Sequence, residues 1–342
     1  MKKLVHKIKI LIQNDSTLLK LSGNYSLFTH LYLLMFDRTF IMEIKQGYQA
    51  KSLYQRQLNQ KKCTYQLVRN IHRIEKGLTV NNRKSIFAIS YIKETMDLFL
   101  SPSFLDIKSE QKKWMVSILF EYFRSCNDPV IDKQKKRFYD SDYVSSIEVI
   151  DEYIYDKRKN HVYNDVDYDE YLNLCKQRRS IRTFCDKTVD RDLIDRALSA
   201  AKFSPSACNR QPFYFEFVDD KKLINKLFGL PYGTSGFTKE IPMLGILVGD
   251  QSAFFDERDR HIPFIDGSLF TMNFINALET MGISSCVVNW QSVKSIDRDL
   301  RALISVPNHC FPILFLAIGY ADPDMFVAHS VKKEVTQLRN YN

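Results

Sequence analysis

The stretch Arg178-Arg-Ser-Ile-Arg-Thr-Phe184, followed one helix later by Ser204-Pro-Ser-Ala-Cys-Asn-Arg-Gln-Pro-Phe213, decides how the rest of this chain is read. Arg178, Arg179 and Arg182 surround the hydroxyl of Ser180 where a helix ends and the chain can aim side chains at one point. Guanidinium forks and a hydroxyl suit a phosphate or another planar anion. Arginines closing a helix also complement its dipole, and the cluster alone leaves that plainer reading open. The second stretch joins a helix to a strand and is built from turn formers. Asn209 and Gln211 offer donors and acceptors that match the edge of a heteroaromatic ring. The alternative there is an ordinary turn in which Asn209 satisfies its own backbone.

Around these stretches the hydropathy pattern predicts an α+β unit. Helices are expected over Tyr171–Arg179, Arg191–Phe203 and Ser292–Ile304, and strands over Pro212–Val218, Ile241–Val248 and Phe311–Ile318. Asp266–Met281 is apolar nearly throughout, which predicts a helix buried on most sides. The first half instead reads as successive helices. Tyr65–Gly77 places Leu67, Ile71 and Ile74 three to four apart and ends in a glycine suited to a left-handed cap. Ser85–Phe99 and Gln111–Phe123 have similar spacing, and Asp151–Asp169, rich in Tyr, Asp and Lys, reads as a connection. The expected division is residues 1–165, a separate helical region of unknown role, and residues 166–342.

A chain of 342 residues, 45% hydrophobic, has length for about two domains and ample material for their cores. With 11 Gly, 10 Pro and 13% aromatics it is neither collagen-like nor disordered. No run approaches the roughly 20 uncharged apolar residues of a membrane span. The longest, Leu31–Met42, is broken by Asp37 and Arg38. The net charge of +9 is scattered apart from a short cluster at Lys133–Arg137, which predicts a basic solvated surface rather than a nucleic-acid footprint. Seven cysteines, an odd number without any Cys-x-x-Cys pair, argue against a disulfide framework or a zinc site and for a reducing compartment. No histidine has metal-ligand spacing, and no metal is expected. The first twelve residues begin like a signal peptide, but Lys7 and Lys9 interrupt the apolar part and no small-residue cleavage site follows, so a cytoplasmic protein is expected. A basic amphipathic helix there suits either a peripheral contact with anionic lipid or a plain protein surface.

Taken together, the two opening stretches resemble the FMN-dependent nitroreductase family. Asp266-Gly-Ser-Leu-Phe-Thr-Met-Asn273, Met281-Gly-Ile-Ser-Ser285, Leu303-Ile-Ser-Val-Pro307 and Ile318-Gly-Tyr-Ala-Asp-Pro323 follow in the order that family has them. The resemblance runs from about Tyr171 to the C-terminus. In the first half, His72-Arg-Ile-Glu-Lys-Gly-Leu78 resembles a stretch of long nitroreductase-like proteins from surface-polysaccharide gene clusters.

The resemblance implies an FMN-binding fold and an intertwined homodimer with a flavin at each side of the interface. It implies that Arg178, Ser180 and Arg182, with Arg179 in the same cluster, bind the FMN phosphate and ribityl chain. Pro205, Ser206, Asn209 and Gln211 would pack on the flavin of the partner subunit, and Lys332 or Lys333 would close on the phosphate. The implied activity is ping-pong oxidoreduction of a small organic substrate with NAD(P)H as hydride donor. No protein acid or base is assigned, because the hydride passes between nicotinamide and flavin. The alternative is a flavin-binding protein without ordinary turnover, acting as a partner in a biosynthetic pathway. Two places depart from the family pattern. Gly233–Lys239 matches it poorly, and Ser285–Gln291 stands where many members keep a glycine beside the flavin, leaving Trp290 and Asn289 as either flavin contacts or structural residues. His72 and Glu75, on one helix face, are either part of a lid or a hydrogen-bonded pair.

Overall fold

The helical half takes its form from apolar stripes at helical spacing. In the computed structural model, which describes residues 15–35, 38–154, 167–234, 237 and 241–341, these are α1 (Ser16–Asn24), α2 (Ser26–Met35), α3 (Arg38–Asn59), α4 (Thr64–Thr79), α5 (Ile89–Phe99), α6 (Ser109–Ser125), α7 (Pro129–Tyr139) and the single turn α8 (Asp142–Ser145). The amphipathic start expected at residues 1–12 lies outside the described residues, as do most of the connection expected at Asp151–Asp169 and part of Gly233–Lys239. Leu67, Ile71 and Ile74 of α4 are buried against Ile92 and Met96 of α5 and Ile118 and Tyr122 of α6. Each such aliphatic side chain contributes about 1.5–3 kcal/mol when fully buried. His72 Nδ1 meets Glu75 Oε2 at 2.7 Å, and Glu75 Oε1 accepts from Trp114 Nε1 at 2.8 Å, so this pair fastens α4 to α6. That is the structural reading of the two left open.

Gly77 is not a helix cap. The helix continues two residues past it, and a Cβ on Gly77 would lie 2.3 Å from the Phe87 ring. The glycine is where an aromatic wedge meets the helix backbone. Phe87 is held there edge-on to Tyr122 at 5.1 Å, with its carbonyl accepting from the Tyr122 hydroxyl at 2.7 Å. The same wedge delays α5, which begins at Ile89 rather than Ser85, after Ala88 turns through φ 63°.

The second half contains α9 (Tyr168–Gln177), α10 (Arg191–Ala201), β1 (Phe213–Val218), α11 (Lys221–Phe228), β2 (Met243–Asp250), α12 (Ile262–Thr280), β3 (Ser284–Asn289), α13 (Lys294–Leu303) and β4 (Cys310–Gly319). Asp190 and Asp220 cap α10 and α11 by accepting from Asp192 N and Leu223 N. The strands form one antiparallel sheet in the order β1-β2-β4-β3. Its faces are covered by different helices. Leu244, Ile246, Val248, Phe315 and Ala317 pack with α11 and α13, whereas Met243, Leu247, Leu316 and Ile318 pack with α10 and α12. A register shift after Leu247, opposite Pro312, interrupts the alternation once.

One alternative left open is resolved here and one expectation is corrected. Trp290 is core, 6% exposed and stacked on Phe315 at 5.0 Å, while Asn289 is exposed. The long helix α12 is not buried on most sides: Ile265, Leu269 and Met272 are 51%, 45% and 43% exposed along one stripe of the described chain. β3 and α11 were not expected, although α11 carries Leu223, Ile224, Leu227 and Phe228 at helical spacing; β3 opens on two serines and ends on Asn289, which blunts its apolar signal.

The two halves touch along α3 and α4. The Tyr65 hydroxyl donates to Asp250 Oδ2 at 2.9 Å, Lys51 pairs with Glu257 at 2.7 Å, and Arg69 lies 5.2 Å over the Phe255 ring. Gly77→Ala tests the aromatic wedge. The helix-propensity gain of about 1 kcal/mol is outweighed by overpacking of about 1–3 kcal/mol. Chemical denaturation should therefore show a net loss of stability, and a variant more stable than the parent would mean Phe87 moves aside freely.

Candidate functional site

Residues 178–184 are laid across the end of the sheet by backbone pairing. After α9 closes with Arg178 N–H on the Leu174 carbonyl, Ser180 pairs with Ser285 and Ile181 N–H donates to the Ser285 carbonyl at 3.1 Å. Phe184 then pairs with Ala321, and Cys185 N–H donates to the Tyr320 carbonyl at 2.9 Å. Buried Ile181 and Phe184 anchor the segment. A Cβ at Gly319 would stand 2.7 Å from the Phe184 ring and 2.8 Å from Pro242, so close approach of the backbone requires glycine there.

With the apolar residues turned inward, the cations remain at the surface. Arg182 is exposed, with Nη1 on the Ser180 carbonyl at 3.3 Å and its guanidinium 5.9 Å over Phe237. Arg179 donates to the carbonyls of Ala328 and His329, which ties the C-terminal tail to this segment. Lys332 and Lys333 follow a few residues further along that tail, both exposed. Among the described residues no carboxylate pairs with Arg178, Arg179 or Arg182. Glu279, at the end of α12, feels the charge of Arg178, but burial pushes its carboxyl upward more strongly than Gln177 and Arg178 lower it.

The second stretch is a strained loop. Cys208, Asn209 and Gln211 all have φ between 50° and 54°, a region that costs a residue with a Cβ about 1–3 kcal/mol. Its hydrogen bonds hold it in place. Asp266 Oδ2 accepts from Ala207 N–H at 2.9 Å, Ser206 Oγ accepts from Gln211 N–H at 3.2 Å, and Asn273 Nδ2 donates to Ser204 Oγ at 2.6 Å. Asn209 Oδ1 accepts from Gln211 Nε2 at 3.1 Å, so the two amides hold each other rather than Asn209 serving its own backbone. Pro205 is exposed, while Ser206, Asn209 and Gln211 are half-buried.

One chain does not bring the two groups together. Glu279 beside Arg178 and Asp266 beneath Ala207 are 13 residues apart on α12, roughly 20 Å along a helix axis. Asp266, Asn273 and Arg210 were not assigned roles from the sequence. Asp266 left a signal, as a lone acid at the start of an otherwise apolar helix. Another polar group lies at the junction of the halves: Asp250, His309 and Cys310 have potential ligand atoms within 4.8 Å of one another. Both Asp250 oxygens already accept hydrogen bonds, from Tyr65 and from Ser252, and burial pushes the Cys310 thiol up to about 12. This trio is part of the joint.

The family model described as "Nitroreductase family" matches residues 175–234, which span both stretches. The C-terminal half is nitroreductase-like. It is 29% identical over 161 residues to a protein of Methanothermobacter thermautotrophicus named for NADH dehydrogenase/NAD(P)H nitroreductase activity, covering 47% of this chain and 82% of the relative. A Pseudomonas relative named CR(VI) reductase is 25% identical over 158 residues, covering 43% and 64% of the two chains. Among solved structures, an FMN-dependent nitroreductase of Clostridium difficile is 22% identical with a TM-score of 0.43, covering 50% of this chain and 99% of that one.

In this nitroreductase-like half, burial raises the carboxyl of Asp266 above its ordinary value, against the lowering influence of Ala207 N–H and Arg210. A raised native value means the folded state holds the proton more tightly, so stability falls as pH rises from the ordinary carboxyl pKa through the raised one. Asp266→Asn keeps a carbonyl oxygen for Ala207 and carries no charge. Its stability relative to the parent should be highest at neutral pH and decline on acidification to about pH 4. Denaturation curves at both pH values check the sign.

Proposed function

We propose that the nitroreductase-like half binds FMN and reduces a small organic molecule at the expense of NAD(P)H. The relatives support the general class, an oxidoreductase. The observation that carries the flavin reading is the set of guanidinium groups at positions 178, 179 and 182 by the end of the sheet: among the described residues no carboxylate comes within ion-pair distance of them, and burial pushes upward the carboxyl of Glu279, which lies near Arg178. Such a donor set fits a dianionic phosphate. Arg178 and Arg182 would supply direct charge, Ser180 a neutral donor, and Lys332 or Lys333 a closing cation from the tail that Arg179 tethers. FMN, when bound, supplies hydride acceptance and release. Pro205, Ser206, Asn209 and Gln211 would offer a ring a preshaped edge whose strain is already met by folding.

We further infer that these groups meet across a homodimer. Their separation along α12 supports it, as does the exposed stripe of Ile265, Leu269 and Met272 on the same helix. Residues 1–165 are proposed as a distinct helical region packed on this dimerising half and sharing Phe255 with it. No helix among the described residues is long and apolar enough to cross a membrane, and a cytoplasmic location is proposed on the unpaired cysteines.

The visible spectrum of the purified protein, before and after anaerobic NADPH or NADH, tests the reading. Oxidised-flavin bands bleached by a nucleotide are expected, with parallel double-reciprocal plots in turnover. The double variant Arg178→Ala, Arg182→Ala should bind FMN about a hundredfold or more weakly, from about 1.5–3 kcal/mol for each charged hydrogen bond lost. Bands that no nucleotide bleaches would favour a flavin-binding partner protein, and a colourless protein that refuses FMN would overturn the proposal.

A further inference from the structure

Arg210, inside the strained loop, is buried with an unpartnered nitrogen. It is 7% exposed, its guanidinium lies 4.6 Å over the Phe254 ring, and its Nε is enclosed with no hydrogen-bond partner. No ion pair relieves it among the described residues. Two carboxylates are near enough to attract it, Asp259 and Asp266, yet neither reaches ion-pair distance: Asp259 faces Arg258 at 3.8 Å and Asp266 Oδ2 accepts from Ala207 N–H at 2.9 Å. Arg69 adds a second positive charge nearby, and Tyr54 and Cys208 face it from α3 and from its own loop. Burial pulls the Arg210 pKa below the ordinary guanidinium value, with Arg69 acting in the same direction. A buried guanidinium that no carboxylate contacts directly is costly, and an anion reaching it would lower that cost.

Arg210 lines a cleft of about 610 Å³ between the two halves of the chain. The cleft wall is aromatic, with Tyr65 from α4, Phe213 and Phe215 from β1 and Phe270 from α12. Among the described residues its charged lining residues are Lys202 and Arg210, and no carboxylate lines it. Apolar rings with cations of one sign select a flat apolar body that ends in an anion. We propose that this cleft binds a small aromatic acid, with its carboxylate on Arg210 and its ring among Tyr65, Phe213 and Phe270. Gln211, which shares both the cleft and the strained loop, would place the bound acid beside the proposed flavin edge. The inference rests on the flavin reading only for what becomes of the acid once it is bound.

Calorimetric titration of the full chain with benzoate and with its neutral isostere benzamide tests the proposal without turnover. Benzoate should bind at least tenfold more tightly than benzamide, with or without added FMN. Arg210→Met should bring benzoate down to the benzamide affinity and leave benzamide binding as it was. Equal affinities for the two compounds in the parent protein would overturn the proposal, and that comparison stands even if the variant does not fold. Should FMN abolish benzoate binding while Arg210→Met loses the flavin colour, the arginine holds the cofactor phosphate and the aromatic-acid site is wrong. A colourless protein that still selects benzoate would sink the flavin reading alone.

Discussion

The backbone pairing of residues 180–185 with the ends of β3 and β4 is the constraint on which the candidate site depends. A segment rich in arginine has no intrinsic reason to hold one shape. Here the Ile181 and Cys185 amides are bonded to the sheet, and the side chains of Ile181 and Phe184 fill its edge. The intervening positions are thereby forced outward. Arg182 is set at the surface, and Arg178 and Arg179, half-buried, are fixed just before it by amides and apolar contacts that carry no charge themselves. The energy that opposes their mutual repulsion comes from the packing of the sheet, which is buried on both faces.

α12 has the complementary role. It receives the strained loop at Asp266 near its beginning, holds Ser204 ahead of that loop through Asn273 at its middle, and approaches Arg178 through Glu279 near its end. The helix fixes how far apart the two groups stand and exposes an apolar stripe between them. The buried Asp266 carboxylate illustrates the trade involved. Its charge is costly in that position, yet its oxygen satisfies an amide in a loop whose left-handed residues leave few internal partners.

The sequence was most legible where one signal dominated. Apolar runs placed β2 and β4, and helical spacing placed α4 and α6, within a few residues of their observed limits. The two stretches that carry the resemblance were legible as a pair through their order and spacing, since each alone reads as an ordinary helix end or turn. Contacts distant in sequence were not legible. Gly77 looked like a cap because its partner, Phe87, lies beyond the helix. Trp290 had two readings until Phe315 was seen beneath it. Exposure of α12 could not be read either, since an apolar stripe looks the same whether it meets its own core or another surface. Arg210 was hidden by its neighbours, because a charge within a polar turn draws no notice until its burial is known.

Phe255 belongs in sequence to the nitroreductase-like half, yet it packs into the core of the helical half, 6.0 Å from the Tyr54 ring and beneath Arg69. The division that looks natural along the chain is therefore not the division in space. The second half lends an aromatic side chain to the first, and the first returns the Tyr65 hydroxyl to Asp250. Neither half keeps all of its own interior. Evolutionary exchange of the helical region for another would have to carry both ends of that loan across together, which ties the history of the two halves more closely than their different textures suggest.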